Sequence, residues 1–368
     1  MAALFFGPGL KVEGNVLKLF ISEYICSGAL AGVPLPDSLA REGLGMLRAI
    51  CEDAVSSEAF EVCTTLDHRL NLNVSGVQCH TVRPEAEEWL LFQELAQSCD
   101  LTLVIAPEFN QILLNRVRWL SDNDRRHGLS DIRSIEIASD KLKFANWAEQ
   151  NQISIPPTYW IDLQEATLQL ETSEKFHFPL VIKPQWGAGA SSMALLSSEA
   201  DFFEFRNNYR DDELGPFVIQ PYIEGISLST ACLINPIDFS RTWTPLGRQD
   251  FSGFEYQGGT IPFQCDAANK ALELAEKVLN LMPGLAGWIG FDFLYCPDHD
   301  EKLVLLEVNP RLTTSYLGYR QLTQSNLAAI ILGVQSGAQI EWSEQPVQFR
   351  LEDLSSCQST NSHIDRIH

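Results

Sequence analysis

The chain has 368 residues, 45% hydrophobic and 20% charged, the profile of a soluble globular protein long enough to bury two or three cores. Its 26 basic and 48 acidic side chains leave a net charge of -22, which repels phosphate backbones and excludes nucleic acid as an expected partner. Nine scattered cysteines without a Cys-x-x-Cys pair argue for reduced thiols, and no apolar run is long enough to span a membrane.

In chain order, residues 1–15 read as an extension. Met1 to Leu10 is apolar but lacks a basic start and a cleavage pattern, so no secretory leader is expected and a cytoplasmic location is. Val16 to Ser22 predicts a strand, followed by Glu23-Tyr24. Pro36-Asp37-Ser38 starts a helix carried by Leu39, Leu44, Leu47 and Ile50. Phe60 to Thr65 predicts a strand, Glu85 to Gln97 a helix, Leu101 to Ala106 a buried strand and Asn110 to Leu120 a helix. This alternation implies a doubly wound parallel sheet over residues 16–125. Ligands of such sheets sit beyond the strands' C-terminal ends, where Glu23, Ser27 and Glu108 fall.

Asp122 to Asp131 is polar and reads as a linker, and Asp140 caps a helix running from Lys141 to Gln150. Thr158 to Ile161 is extended, Pro179 to Lys183 and Ser192 to Leu196 flank a glycine loop as a hairpin, and Phe202 to Tyr209 is a short helix. Phe217 to Gln220 and Ser227 to Ile234 are strands, Ala267 to Leu281 an amphipathic helix, Trp288 to Tyr295 and Lys302 to Val308 a hairpin, and Ser325 to Leu332 a helix. From Glu341 onward the chain is polar and predicts a peripheral tail.

Two spaced motifs carry the chemistry. Phe178-Pro179-Leu180-Val181-Ile182-Lys183-Pro184 leads into Gly187-Ala188-Gly189-Ala190-Ser191-Ser192, a strand-end cation followed by a flexible loop, both suited to phosphate. Gly290-Phe291-Asp292-Phe293 is followed by Leu306-Glu307-Val308-Asn309-Pro310-Arg311, with three oxygen donors of the kind hard cations prefer. Taken singly, Lys183 is equally a snorkelling lysine and the glycines a turn; together they point to nucleotide chemistry. No glycine loop is followed by Lys-Ser or Lys-Thr, and Gly284 to Gly290 lacks the dinucleotide spacing, so neither a Walker-type nor a Rossmann site is expected.

The order of these motifs resembles the ATP-grasp superfamily of carboxylate–amine ligases. The resemblance implies an α/β chain of α+β lobes, with the ATP-grasp fold behind an N-terminal pre-ATP-grasp domain: residues 16–125, a first lobe at 126–215, a second at 216–335 and a tail at 336–368. It implies that Lys141, Lys183, Gly187, Ala188, Gly189 and Ser191 contact the phosphates of ATP, and that Gln220, Pro221, Tyr222 and Ile223 form a hinge reading adenine. Asp292, Glu307 and Asn309 would hold two Mg2+ ions, with Mn2+ an acceptable substitute, and Arg311 would steady an acyl phosphate. Two departures stand out. Ser227 occupies the place of the usual ribose-binding glutamate, leaving Glu224 or a serine to serve, and Gly290 that of a common arginine, shifting its work to Arg311 or Arg248.

Phe20 to Tyr24, Ala106-Pro107-Glu108, Leu246 to Gln249, Tyr256 to Gly259 and Asn309 to Tyr316 resemble, more narrowly, the branch containing the tyramine–glutamate ligase of methanofuran biosynthesis. This implies small-molecule substrates, a glutamate-like acid and an aromatic amine, met by Glu23, Tyr24, Glu108, Tyr256, Ser315 and Tyr316. Other readings remain at this point: a cap for Thr313 to Ser315, core packing for Tyr256 and Tyr316, another amino-acid or dipeptide ligase, and a non-catalytic nucleotide-binding regulator. The resemblance is compatible with a homodimer, which the residues alone do not decide.

Overall fold

A computed structural model describes residues 16–84, 86–163, 177–187, 193–208, 216–298, 302–336 and 340–352. Three sheets organise them. The first is parallel, in the order β3-β2-β1-β4, from β1 (Leu17–Glu23), β2 (Phe60–Asp67), β3 (Val77–Val82) and β4 (Leu101–Ile105). Alternation along β1 sends successive side chains to opposite faces. Phe20 meets Phe92 of α2 (Glu88–Ser98), while Glu23 lies against Gly43 of α1 (Asp37–Ser56). With helices on both faces, the sheet is doubly wound, as the alternation of elements predicts. The pattern missed β3, a six-residue strand in which three residues are exposed and only Val82 is buried.

A 3-10 turn at Phe109–Gln111 precedes α3 (Ile112–Asp122), which begins and ends about two residues later than expected. The predicted linker at 122–131 is a correction. Arg126 accepts from the amide of Thr102, His127 forms a parallel bridge with Thr102, and Asp131 caps an unpredicted helix α4 (Ile132–Ala138) through Ser134. The segment is therefore stitched to β4. α5 (Lys141–Gln150) starts where predicted, with Asp140 accepting from the amides of Leu142 and Lys143.

The second sheet, β5-β8-β6-β7, is antiparallel and comprises β5 (Tyr159–Ile161), β6 (Leu180–Pro184), β7 (Ala194–Leu196) and β8 (Phe217–Pro221). One face is covered by α6 (Glu199–Asn208), and Ile182, Leu196, Phe202 and Phe217 form a compact core there. The third sheet runs β14-β13-β9-β11-β12-β15, with β10 (Arg241–Trp243) beside β9 (Ile226–Ile234). Its centre is β13 (Gly287–Cys296) between β9 and β14 (Lys302–Asn309). The amphipathic helix α7 (Ala268–Leu281) buries Ala271, Ala275, Val278 and Leu279 beneath it, with Phe144 and Ala148 of α5 in the same cluster. Two short helices follow, α8 (Tyr316–Tyr319) and α9 (Leu327–Ile331).

Two further corrections concern this sheet. Residues 247–261, to which the apolar pattern assigned no element, form the hairpin of β11 (Gly247–Ser252) and β12 (Glu255–Ile261). The expected tail supplies β15 (Val347–Arg350), which pairs antiparallel with β12 and buries Phe349. Polar strands, here glycine-rich in β12, hide from hydrophobic periodicity, because their pairing is made by the backbone. No helix among the described residues is long and apolar enough to cross a membrane.

Candidate active site

The phosphate side of the site is built by β6 and the start of α5. Lys183, near the end of β6, is 7% exposed; burial pushes its pKa down to about 8, the neighbouring Lys141 adds to the fall, and Glu307 opposes it. Lys141 donates from Nζ to the carbonyl of Gly187 at 3.0 Å, which ties the helix start to the mouth of the glycine loop. Buried Gln185 donates to both carboxylate oxygens of Asp140 at 2.9 Å, fixing the same corner. Gly187 is half-buried; Ala188, Gly189 and Ser191 lie outside the described residues. Gln220 is buried and bonded to Thr158, the amide of Tyr222 donates to Pro179, and Pro221, Ile223 and Ser227 are half-buried where β8 passes into β9.

The acidic side lies across β13 and β14. Asp292 and Glu307 are direct cross-strand partners, followed by a register shift after Asp292, and Asn309 follows two residues on from Glu307, on the same face of β14. Asn309 donates to Asp292 Oδ2 at 2.8 Å and Gln249, from β11, to Asp292 Oδ1 at 2.8 Å. Burial and the facing Glu307 hold the Asp292 carboxyl well above the carboxylate range. Burial raises Glu307 too, but the charges of Lys141 and Lys183 prevail and lower it. The two lysines and Glu307 therefore face one another across the junction of the two antiparallel sheets.

Whether magnesium fits can be tested on this donor set. Among the described residues no three of His, Cys, Asp and Glu converge; the donors are two carboxylates and an amide oxygen. Two opposed carboxylates, one of which holds its proton more tightly beside the other's charge, are a place where a divalent cation replaces a proton, and an all-oxygen set suits a hard ion. The residues fit Mg2+.

Arg311 links this site to the parallel sheet. Its Nε and Nη2 donate to Glu108 Oε1 and Oε2 at 2.7 and 3.0 Å, a bidentate pair with side chains 13% and 6% exposed. Glu23, expected beside it, is buried and accepts from the amide of Cys26 at 2.7 Å; burial lifts its carboxyl to about 7, against the pull of Cys26, Ile25 and Arg311. Glu108 thus engages the arginine instead of standing free for an ammonium. Sequence reasoning missed Glu42 of α1, whose carboxylate accepts from Thr314 at 2.9 Å and is raised by burial while Arg311 draws it down. Its only signal was a helical register facing a turn more than 270 positions away, which no local pattern reveals.

The remaining expectations divide. Arg248 lies on β11, donates to Asp250 at 3.0 Å and stands over Phe263. Tyr256 is half-buried, edge-on to Phe251, its hydroxyl pKa raised well above the usual value by burial and then by Asp292 and Glu42, which places it beside the acids. Tyr24 packs beneath the guanidinium of Arg116, 5.1 Å from its ring centre. Ser315 bonds Thr313 at 2.9 Å and makes no side-chain cap for α8. Tyr316 corrects the substrate expectation. It is fully buried, 5.3 Å from Trp288, with its hydroxyl on Asp53 at 2.5 Å, and it joins the two domains as core.

Comparison with known proteins places two domain families along the chain. A pre-ATP-grasp domain family matches residues 60–127 and an ATP-grasp domain family residues 138–315. The chain is 22% identical over 255 residues to the tyramine–L-glutamate ligase of Methanocaldococcus fervens, covering 69% of this chain and 72% of that protein. In structure it is similar to an ATP-grasp superfamily protein from Archaeoglobus fulgidus, with a TM-score of 0.65 at 18% identity over 90% of this chain and 91% of that one. It is also similar to N5-carboxyaminoimidazole synthetase from Staphylococcus aureus complexed with ADP, with a TM-score of 0.68 at 16% identity over 90% and 80%. With a pre-ATP-grasp domain followed by an ATP-grasp domain, the chain belongs to the ATP-grasp family of ligases, enzymes that form C–N bonds.

Proposed function

We propose that the protein joins a glutamate-like acid to an aromatic amine, tyramine or tyrosine, through an acyl phosphate, in the making of a methanofuran-type one-carbon carrier. The observation that carries the reading is Arg311. It couples the candidate metal site to Glu108 of the parallel sheet, with Glu23 and Glu42 close enough to perturb it. The likeness to tyramine–L-glutamate ligase supports the choice of substrates.

In this reading Lys141, Lys183 and the amides of 187–192 hold the phosphates, and the main chain of Gln220 to Ile223 meets adenine. Glu224 or Ser227 takes the ribose. Asp292, Glu307 and Asn309 hold Mg2+, which supplies screening of phosphate charge. The acid's carboxylate attacks the γ-phosphorus, ADP leaves, and the acyl phosphate so formed is a far better acyl donor than the carboxylate. Arg311 balances the charge on its oxygens by position, which is where most of the catalytic gain in such transfers arises. The incoming ammonium is drawn by the acids around Arg311 and gives a proton to Glu23, whose carboxyl, lifted to about 7, titrates in the range a base at neutral pH needs. The amine then attacks the acyl carbon and phosphate departs. Arg248 and Tyr256 wall the acid's side.

Hydroxylamine added with ATP and glutamate is expected to yield a hydroxamate without any amine. ATP consumption with no hydroxamate from glutamate or any other amino acid would refute the acyl-phosphate route. The product with tyramine is expected to have the summed mass of acid and amine less one water.

A further inference from the structure

The pre-ATP-grasp domain contains a cavity of ≈ 530 Å3 that of the residues discussed above shares only Tyr24 and Arg116 and the start of α2. It lies past the C-terminal ends of β1 and β3, against the starts of α2 and α3. Its floor residue Arg116 reaches Ser22 of β1, whose side chain is on the face opposite to Glu23, so the cavity is on the side of the sheet away from α1. The volume is that of an ordinary small-molecule site, in the position where open parallel sheets take ligands.

The lining selects the occupant. Glu88 is 6% exposed; its Oε2 accepts from Arg116 at 2.6 Å, and its Oε1 is buried with no hydrogen-bond partner. A buried carboxylate oxygen without a donor is costly, and an occupant bringing an N–H removes the cost. Arg116 is already committed. It is held by Glu88 and enclosed by the rings of Tyr24, Trp89 and Phe92 at 5.1, 5.5 and 4.4 Å. With Arg116 neutralised by Glu88, Glu87 leaves the lining one negative charge in excess, which disfavours an anion. Tyr24, Trp89 and a wall of glycine and alanine offer flat apolar surface for the occupant's body.

We propose that this cavity binds a protonated primary amine carried on an aromatic body, independently of ATP and of the reaction. Gly32 offers the means to test it. Gly32 is an exposed residue of the lining and a Cβ built there meets nothing within 4 Å, so a larger side chain is accommodated at the cavity without displacing the fold. Titration calorimetry of the full chain with tyramine, in the absence of nucleotide, is expected to show saturable binding. Gly32→Phe and Glu88→Gln are each expected to weaken it by about tenfold or more, and 2-phenylethanol, which lacks the charge, to bind at least about tenfold more weakly than tyramine. Should Glu88→Gln fail to fold, Gly32→Phe and the neutral analogue carry the test. Tyramine binding unchanged in Gly32→Phe, binding that requires ATP, or no binding at all would overturn the proposal. None of these results bears on hydroxamate formation, which tests the reaction.

Discussion

Replacing Glu108 by glutamine tests whether Arg311 is positioned by the parallel sheet. Two charge-assisted hydrogen bonds, 2.7 and 3.0 Å long, join side chains 13% and 6% exposed. Each such bond contributes about 1.5–3 kcal/mol, and breaking a buried pair costs about 3–5 kcal/mol when one charge is left alone. Arg311 would not be wholly alone, since Glu307 and Glu42 also stabilise its charge, and the glutamine keeps one acceptor. The expected coupling is therefore about 2 kcal/mol, well above the 0–1 kcal/mol of an exposed ion pair. A double-mutant cycle of Glu108→Gln and Arg311→Gln, read from urea unfolding, isolates that term from the separate costs of each change. Turnover is expected to fall by two to three orders of magnitude in Glu108→Gln, on the order of the loss of one oriented charge stabiliser. A coupling below about 0.5 kcal/mol would refute the argument, because it would place the pair in solvent.

Glu307→Gln and Asp292→Asn are each expected to abolish ATP-dependent turnover, with a barrier increase of about 3 kcal/mol or more; full activity in either would remove the metal assignment. Lys183→Ala is expected to weaken ATP binding in calorimetry more than Lys141→Ala, because Lys183 is buried on a strand while Lys141 sits at a helix start, bonded to the carbonyl of Gly187; unchanged affinity in Lys183→Ala would place the phosphates elsewhere. Burial raises Glu23 from 4.5 to about 7, so its folded form binds the proton more tightly and the associated stability, full below pH 4.5, is lost as pH rises to 7. Glu23→Gln is thus expected to flatten the fall in stability between pH 5 and 7, and parallel pH profiles for the two proteins would refute that burial.

Much of the scaffold was legible because burial writes itself into periodicity. α7 and the β13–β14 hairpin carry strong apolar patterns, and Asp140 announces a helix start through its side-chain chemistry. The segments that escaped are those held by backbone or by distance. β3, β11, β12 and β15 are polar or exposed and are defined by pairing, and α4, seven residues long, is too short for its isoleucines to set out a helical period. In the site, Lys183, Asp292, Glu307 and Asn309 were readable from strand ends and donor type. The engagement of Arg311 by Glu108 spans 203 positions, and Gln249 reaches Asp292 across 43; such pairings arise only when the sheets are assembled. Tyr316 misled because a tyrosine beside a metal motif looks the same in sequence whether its hydroxyl meets a substrate or Asp53.

The pairing of β15 with β12 gives the last described residues a protective duty. Gly258 and Gly259 of β12 lie so close to β15 that a Cβ on Gly258 would stand 2.1 Å from the carbonyl of Phe349. A chain shortened to end just before Val347 would leave β12 as a bare edge with unpaired amides and carbonyls. Edges of that kind recruit other strands, so such a truncation would invite self-association even with every residue of the candidate site intact.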